Sequence, residues 1–236
     1  MYLPESEIVE YLKQQEQVLL SFSGGKDSLA LWEVLRHYKI KVIPFYMEIV
    51  PGLSFVRKAI KHCEEHFKQH VYITVHPDFY QMLRTGTAQP LHRIPVINYL
   101  ELPRFEYTDV AKGVCITAGV PQDTVVAVGI RVRDSVLRRM RIKHWRIQNR
   151  IYPIWQATKQ DVVNILTQNK TPVPDDYRMF GRSFDGIDYR FLEPIRTDYP
   201  EDYKKILEWF PLQRAELLRA KWGVKHGQIK IKQPRD

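Results

Sequence analysis

Two glycines, a lysine, an aspartate and two serines stand side by side in Ser23-Gly24-Gly25-Lys26-Asp27-Ser28. Most of these residues suit an anion, each in a different way. Gly24 and Gly25 can take backbone angles closed to other residues, and they let main-chain N–H groups come close to a phosphate. Ser21, Ser23 and Ser28 add hydroxyl donors, and Lys26 adds a point charge. Asp27 repels phosphate, so it is read as the cap of the helix that follows or as a ligand of magnesium. GxxxxGK[ST] and GxGxxG are both absent, so the segment is neither a Walker A loop nor a dinucleotide fingerprint. The competing reading is an ordinary glycine turn before a capped helix.

A second constellation is Gly129-Ile130-Arg131-Val132-Arg133-Asp134-Ser135, with Arg138 after it. The planar fork of arginine binds phosphate bidentately. Against that stands a solvated helix face; Arg131 is read as functional, Arg138 as a candidate, and Arg139 and Arg141 as surface. His62, His66 and His70 recur at helical spacing, but Cys63 holds the position that HExxH gives to glutamate. The polar face of a helix is the preferred reading there. Cys63 and Cys115 are the two cysteines. Two thiols cannot build a four-thiolate zinc or iron–sulfur site. Cys115, between Val114 and Ile116, reads as a small buried hydrophobe, with nucleophile or sulfur carrier as the alternative.

These residues need a frame. Residues 17–22 read as a buried strand feeding the glycine loop, and 27–38 as the helix after it. Further strands are expected at 41–47, 71–75, 124–128 and 151–155. Further helices are expected at 53–70, at 158–168 with Thr158 as cap, and at 199–222 with a break near Pro211. Strands alternating with helices predict an α/β fold. It is a doubly wound, mostly parallel five-stranded sheet with helices on both faces, Rossmann-like, with the first strand central. Residues 76–122 and 171–198 are rich in proline. The former reads as a loop-and-helix insertion over the sheet's carboxyl edge. The expected organisation is one nucleotide-binding domain over 1–198, with a C-terminal helix and basic tail over 199–236 packed on it.

A strand that runs into SGGKDS and then a helix resembles the PP-loop superfamily, the adenine nucleotide α-hydrolase-like proteins. Within it the chain is most similar to the phosphoadenosine phosphosulfate (PAPS) reductase branch. The resemblance implies ATP or PAPS as the nucleotide and, for ATP, magnesium. It also implies cleavage between the α and β phosphates, with an adenylated substrate and pyrophosphate as products. Gly129 to Ser135 with Arg138 is similar to the branch's G-x-R-x-x-[ED]-S-x-x-R, which implies that Gly129, Arg131 and Arg138 meet the phosphates or the group attached to them. Lys26, Asp27 and Arg131 are then the residues expected to carry the chemistry. Ile151 to Trp155, with Thr158 to Asp161, is similar to a structural P-I-x-x-W-x-x-x-D-V region. Where the branch has an acidic DTG segment, this chain has Tyr46-Met47-Glu48-Ile49-Val50. Phe45, Tyr46 and Met47 are placed to line the base pocket.

The chain departs from the branch in its thiols. The tail Lys221-Trp222-Gly223-Val224-Lys225-His226-Gly227 has no cysteine nucleophile, and Gly181 to Gly186 stands where other members have GC-x-x-CP. Reduction of a sulfonucleotide by the familiar route is disfavoured, and no iron–sulfur cluster is expected. The leading reading is an adenylating enzyme serving sulfur or nitrogen transfer, with a sulfur-donor protein as partner. The alternatives are a PAPS-binding or sulfotransfer protein without the usual cysteine, and a non-catalytic nucleotide-binding module.

The formal net charge is +9, which favours anionic partners. Between Arg131 and Arg150 the basic residues crowd together with Asp134 as the one acid, and the tail adds Lys221, Lys225, Lys230, Lys232 and Arg235. With Tyr and Trp nearby for stacking, these make nucleic acid a candidate partner. No apolar run approaches a membrane span. Residues 1–17 are charged and broken by Pro4, unlike a signal peptide, so a cytoplasmic location is expected.

Overall fold

The computed structural model describes residue 2 and residues 4–225. Lys230, Lys232 and Arg235 of the basic tail lie outside the described residues. The strands are β1 (Val18–Phe22), β2 (Val42–Glu48), β3 (Tyr72–Val75), β4 (Val126–Val128), β5 (Arg146–Ile147) and β6 (Arg150–Ile151). Helices α1 (Ser6–Lys13), α2 (Lys26–His37) and α3 (Ser54–Phe67) alternate with the first three strands. Helices α4 (Pro77–Arg84), α5 (Ile94–Tyr99) and α6 (Tyr107–Ala118) lie between β3 and β4, and α7 (Val136–Arg141) precedes β5. After β6 come α8 (Lys159–Gln168), α9 (Asp175–Phe180), α10 (Tyr189–Asp198), α11 (Pro200–Trp209) and α12 (Ala215–Lys225).

The sheet is six-stranded, in the order β3-β2-β1-β4-β6-β5. β1 runs parallel to β2 and to β4, and β4 runs parallel to β6. The α/β, mostly parallel arrangement expected from the alternation of elements is present, with β1 inside the sheet. The sixth strand is an addition: β5 pairs antiparallel with β6, Arg146 opposite Ile151. Two-residue strands leave no readable alternation, which is why β5 was not anticipated. The strand expected over 151–155 is shorter than its apolar run, because the chain turns after Ile151.

The chain divides into two compact units. The first comprises the described residues up to Met47 together with Ile60–Thr74 and Tyr107–Pro174. The second comprises Glu48–Ala59, Val75–Glu106 and the described residues from Asp175 on. In the first unit one sheet face carries Leu19, Ile43, Phe45 and Val126 against Val110, Val114 and Cys115 of α6. Those α6 positions repeat at helical spacing, and branched or thiol side chains fill the gap between helix and strands. On the other face Phe22 meets Trp32 of α2 edge-on, with ring centroids 5.3 Å apart. Thr158 caps α8 as expected. Its hydroxyl accepts from the Asp161 N–H at 3.1 Å, and the Asp161 carboxylate accepts from the Thr158 N–H at 2.8 Å. These bonds hold Asp161 below the usual carboxylate range, so Asp161 is structural.

In the second unit a buried carboxylate starts a helix. Asp202 accepts from the Ser54 N–H and hydroxyl, both at 2.8 Å, and from the Phe55 N–H at 3.1 Å. It thus satisfies amides at the N-terminus of α3 that have no partner within the helix. The expected C-terminal helix is two helices, α11 and α12, separated by a tight turn over Pro211–Arg214, at the proline where a break was expected. No described helix is long and apolar enough to cross a membrane.

Candidate functional site

Strand register brings the two motifs together. Ser21 of β1 lies beside Val128 of β4. The chain leaves the two strands at the same edge of the sheet, into the glycine loop on one side and into Gly129–Arg131 on the other. Ligands of open α/β sheets bind at such an edge, where neighbouring connections diverge.

The loop has a defined shape. Gly24 has φ of +72°, the left-handed region that a side chain disfavours. Gly25 occupies the N-cap of α2 and supplies no side-chain cap. The cap reading of Asp27 is therefore corrected: Asp27 sits in the first turn, two positions past the N-cap. Ser28 closes the loop from within. Its hydroxyl donates to the Gly25 carbonyl at 2.8 Å, and it lies 3.2 Å from the Ser23 hydroxyl and 3.3 Å from the Ser23 N–H. The Ser23 hydroxyl in turn accepts from the Gly25 N–H at 3.4 Å. Ser28 is buried and Ser23 exposed, so Ser28 shapes the loop while Ser23 faces outward. Lys26 opens α2 and is half-buried. The helix start offers an anion oriented N–H groups and the positive end of a dipole.

Gly129 is packed against that same turn. A Cβ built on it would lie 2.9 Å from the Asp27 carbonyl oxygen and 2.9 Å from the Ser28 nitrogen. Both are main-chain atoms, so the strand end can approach α2 this closely only without a side chain.

Arg131 is 5% exposed, and its guanidinium is already engaged. Nε donates to Asp27 Oδ1 at 2.9 Å, Nη1 reaches the Ala157 carbonyl at 3.5 Å, and Nη2 donates to Asp134 Oδ1. Arg138 Nη1 donates to the other Asp134 oxygen at 2.6 Å. The result is an alternating chain Asp27–Arg131–Asp134–Arg138 that ties the helix start to the turn after β4. Arg131 was expected at the phosphate; here its guanidinium pairs with Asp27 and Asp134. Asp134 was not among the expected site residues, although its spacing to Arg131 and Arg138, three and four residues, matches ion pairs along one helical turn.

Burial pushes the Asp27 carboxyl above its ordinary value of 3.8; the Arg131 guanidinium opposes the rise and the Asp134 charge adds to it. Folding therefore favours the protonated form. The stability this contributes is complete below pH 3.8 and is lost as the pH rises through the raised value. The charged form of Asp27 is disfavoured by its surroundings, a common trait of functional carboxylates. Asp27→Asn, which keeps an acceptor for Arg131, is expected to be at least as stable as the wild type near neutral pH. It should lose that advantage as the pH falls toward 3.8. Urea denaturation across this range measures it, and a variant less stable at every pH contradicts the account.

Other expected residues separate. Phe45, 3% exposed, belongs to the core under α6, and Met47 packs against the same cluster. Tyr46 points to the opposite face, where its ring meets Phe22 at 6.4 Å. Successive strand residues alternate between faces, so Phe45, Tyr46 and Met47 do not line one pocket, and Phe45 is corrected to a core residue. Cys115 is buried and burial pushes its thiol up, which fits the hydrophobe reading. His66 Nε2 lies 3.1 Å from Glu33 Oε1, His70 Nδ1 lies 2.8 Å from Glu64, and His62 is exposed. Among the described residues no group of three or more His, Cys, Asp or Glu gathers as a metal site. Trp145 and Tyr152, 5% and 6% exposed, are buried and present no stacking surface beside the basic stretch.

Comparison with known proteins bears on this geometry. The family model described as phosphoadenosine phosphosulfate reductase domain matches residues 17–179, well over half of the chain. No curated protein matches. Among solved structures, the NH3-dependent NAD synthetase from Campylobacter jejuni subsp. jejuni NCTC 11168, in complex with the nitrate ion, is 12% identical. That comparison covers 96% of this chain and 94% of the other, at a TM-score of 0.43. The family match spans β1, the glycine loop, Gly129 and the Asp27–Arg131 pair, and its fold is the adenine-nucleotide-binding PP-loop fold. The chain belongs to the phosphoadenosine phosphosulfate reductase domain family.

Proposed function

We propose that the chain binds ATP at Ser23–Ser28 and cleaves it between the α and β phosphates. An acceptor nucleophile attacks the α phosphorus, the bond from that phosphorus to the bridging oxygen breaks, and pyrophosphate leaves with the electron pair. A sulfur or nitrogen nucleophile on a donor then attacks the adenylated acceptor, and AMP leaves with the electron pair of the broken bond. The observation that carries this reading is the uncapped start of α2, shaped by Gly24 and closed by Ser28. The loop amides and Lys26 would stabilise the charge that develops on the phosphates, which is positioning and electrostatics rather than covalent work. Arg131 acts through Asp27 as a positioning residue.

Magnesium fits this donor set. An ion that arrives on ATP takes most of its ligands from phosphate and water, so one carboxylate suffices, and Asp27 is that carboxylate. Bound there, the ion would offset phosphate charge. ATP is preferred to a sulfonucleotide because both cysteines are buried, which leaves the reductase reaction without an accessible thiol in this chain.

The test is release of pyrophosphate from ATP across candidate acceptors. Lys26→Ala is expected to lower it by about a hundredfold, the usual scale for one charge-stabilising donor. Release that is unchanged in Lys26→Ala for every acceptor overturns the proposal. Tight binding of ATP that stays intact on long incubation would point to a non-catalytic module instead.

A further inference from the structure

Helix α7 buries none of its residues. Val136, Leu137 and Met140 are 70%, 64% and 63% exposed. At positions i, i+1 and i+4 they fall within about 100° of the helix surface, one continuous stripe. The charged Arg138, on another face of the helix, pairs with Asp134. Arg139 and Arg141 are exposed and flank the stripe on either side. A helix of six residues does not hold its shape alone, and this one is fixed at both ends. The Ser135 hydroxyl accepts from the Arg138 N–H at 3.1 Å, and Ile142, 8% exposed, anchors the exit. The apolar stripe is therefore held out to solvent by the fold.

We propose that α7 is a docking helix for an acidic protein partner, with Val136, Leu137 and Met140 entering an apolar depression and Arg139, Arg141 and Lys143 meeting carboxylates at its rim. Charge complementarity selects the occupant. Residues 135–150 contain no Asp or Glu, so a second copy of the chain brought to the same face would set arginine against arginine. Nucleic acid satisfies the charges but not the stripe, because base stacking needs aromatic platforms, and Val136, Leu137 and Met140 are aliphatic. A membrane surface calls for a larger apolar face than one and a half helical turns offer. Helix-in-groove recognition uses anchors at this spacing, and methionine and arginine are enriched in protein interfaces.

The experiment uses the full chain and a synthetic helical peptide with leucines along one face and glutamates along both edges. A scrambled peptide of the same composition, a DNA duplex and phosphatidylserine-containing vesicles are the comparison probes. The patterned peptide is expected to bind, and either Val136→Ser with Met140→Ser or Arg139→Gln with Arg141→Gln should weaken it by about tenfold or more. Thermal unfolding and ATP affinity should stay at wild-type values, since these side chains are exposed and make no contact in the alternating chain Asp27–Arg131–Asp134–Arg138. Equal binding of patterned and scrambled peptides, or no binding, overturns the proposal. So does tight binding of the duplex or the vesicles that is lost in the glutamine variant and kept in the serine variant, which would mark a phosphate-binding surface.

Discussion

Arg131→Met should lose about 2–3 kcal/mol of stability and most nucleotide affinity together. Removing one partner of a buried ion pair costs about 3–5 kcal/mol, because the remaining charge stays desolvated. Two features place this case at or just below the bottom of that range. The Asp27 and Asp134 side chains are 24% and 20% exposed, against 6% for Arg131, so water can partly resolvate them. Asp134 also keeps its contact with Arg138. Adding Asp27→Asn and Asp134→Asn to Arg131→Met should restore most of the stability, since no buried charge is then left unpaired and Arg138, 46% exposed, is solvated by water, while nucleotide binding stays lost. Urea denaturation and nucleotide titration on the same samples separate the two effects. Wild-type affinity in Arg131→Met would mean that the alternating chain does not position the loop.

A single methyl group at Gly129 should do comparable damage by a different route. Each atom within 3.0 Å of the added Cβ is main chain of Asp27 or Ser28, and none can rotate away as a side chain would. Either the end of β4 or the first turn of α2 must move. Such overpacking costs about 1–3 kcal/mol. The larger effect falls on binding, because displacement of a positioning element by about 1 Å can cost a hundredfold. Gly113 is the control. A Cβ there meets nothing within 4 Å, and it lies inside α6, where alanine favours a helix by about 1 kcal/mol. Gly113→Ala should therefore be neutral or stabilising with normal binding. If both alanine variants bind nucleotide as the wild type does, the close approach at Gly129 is not what shapes the site.

These two sites show what a linear reading can and cannot reach. The glycine loop was legible because its residue types act locally: Gly24 needs its own backbone angle, and Ser28 closes the turn within five residues of Ser23. The strands were legible where apolar runs were long, as in β1 and β2. Helix α1 was missed because charged neighbours masked Ile8 and Leu12, which are buried one helical turn apart. Arg131 and Asp27 were both recognised, but their pairing was not. Asp27 is 104 positions away in sequence, and only the β1–β4 register sets the two side by side. Phe45 failed for a similar reason. Strand alternation was sufficient to divide Phe45 from Tyr46, but the helix that buries Phe45 lies 62 or more positions on in the chain, in a segment read as a proline-rich insertion.

The most direct test of the central claim is a calorimetric titration of the full chain with ATP and with PAPS, each with and without magnesium. ATP should bind more tightly than PAPS, magnesium should strengthen ATP binding, and Asp27→Asn should abolish the magnesium effect while leaving the protein folded. Tighter binding of PAPS, indifferent to magnesium and to Asp27→Asn, would contradict the account.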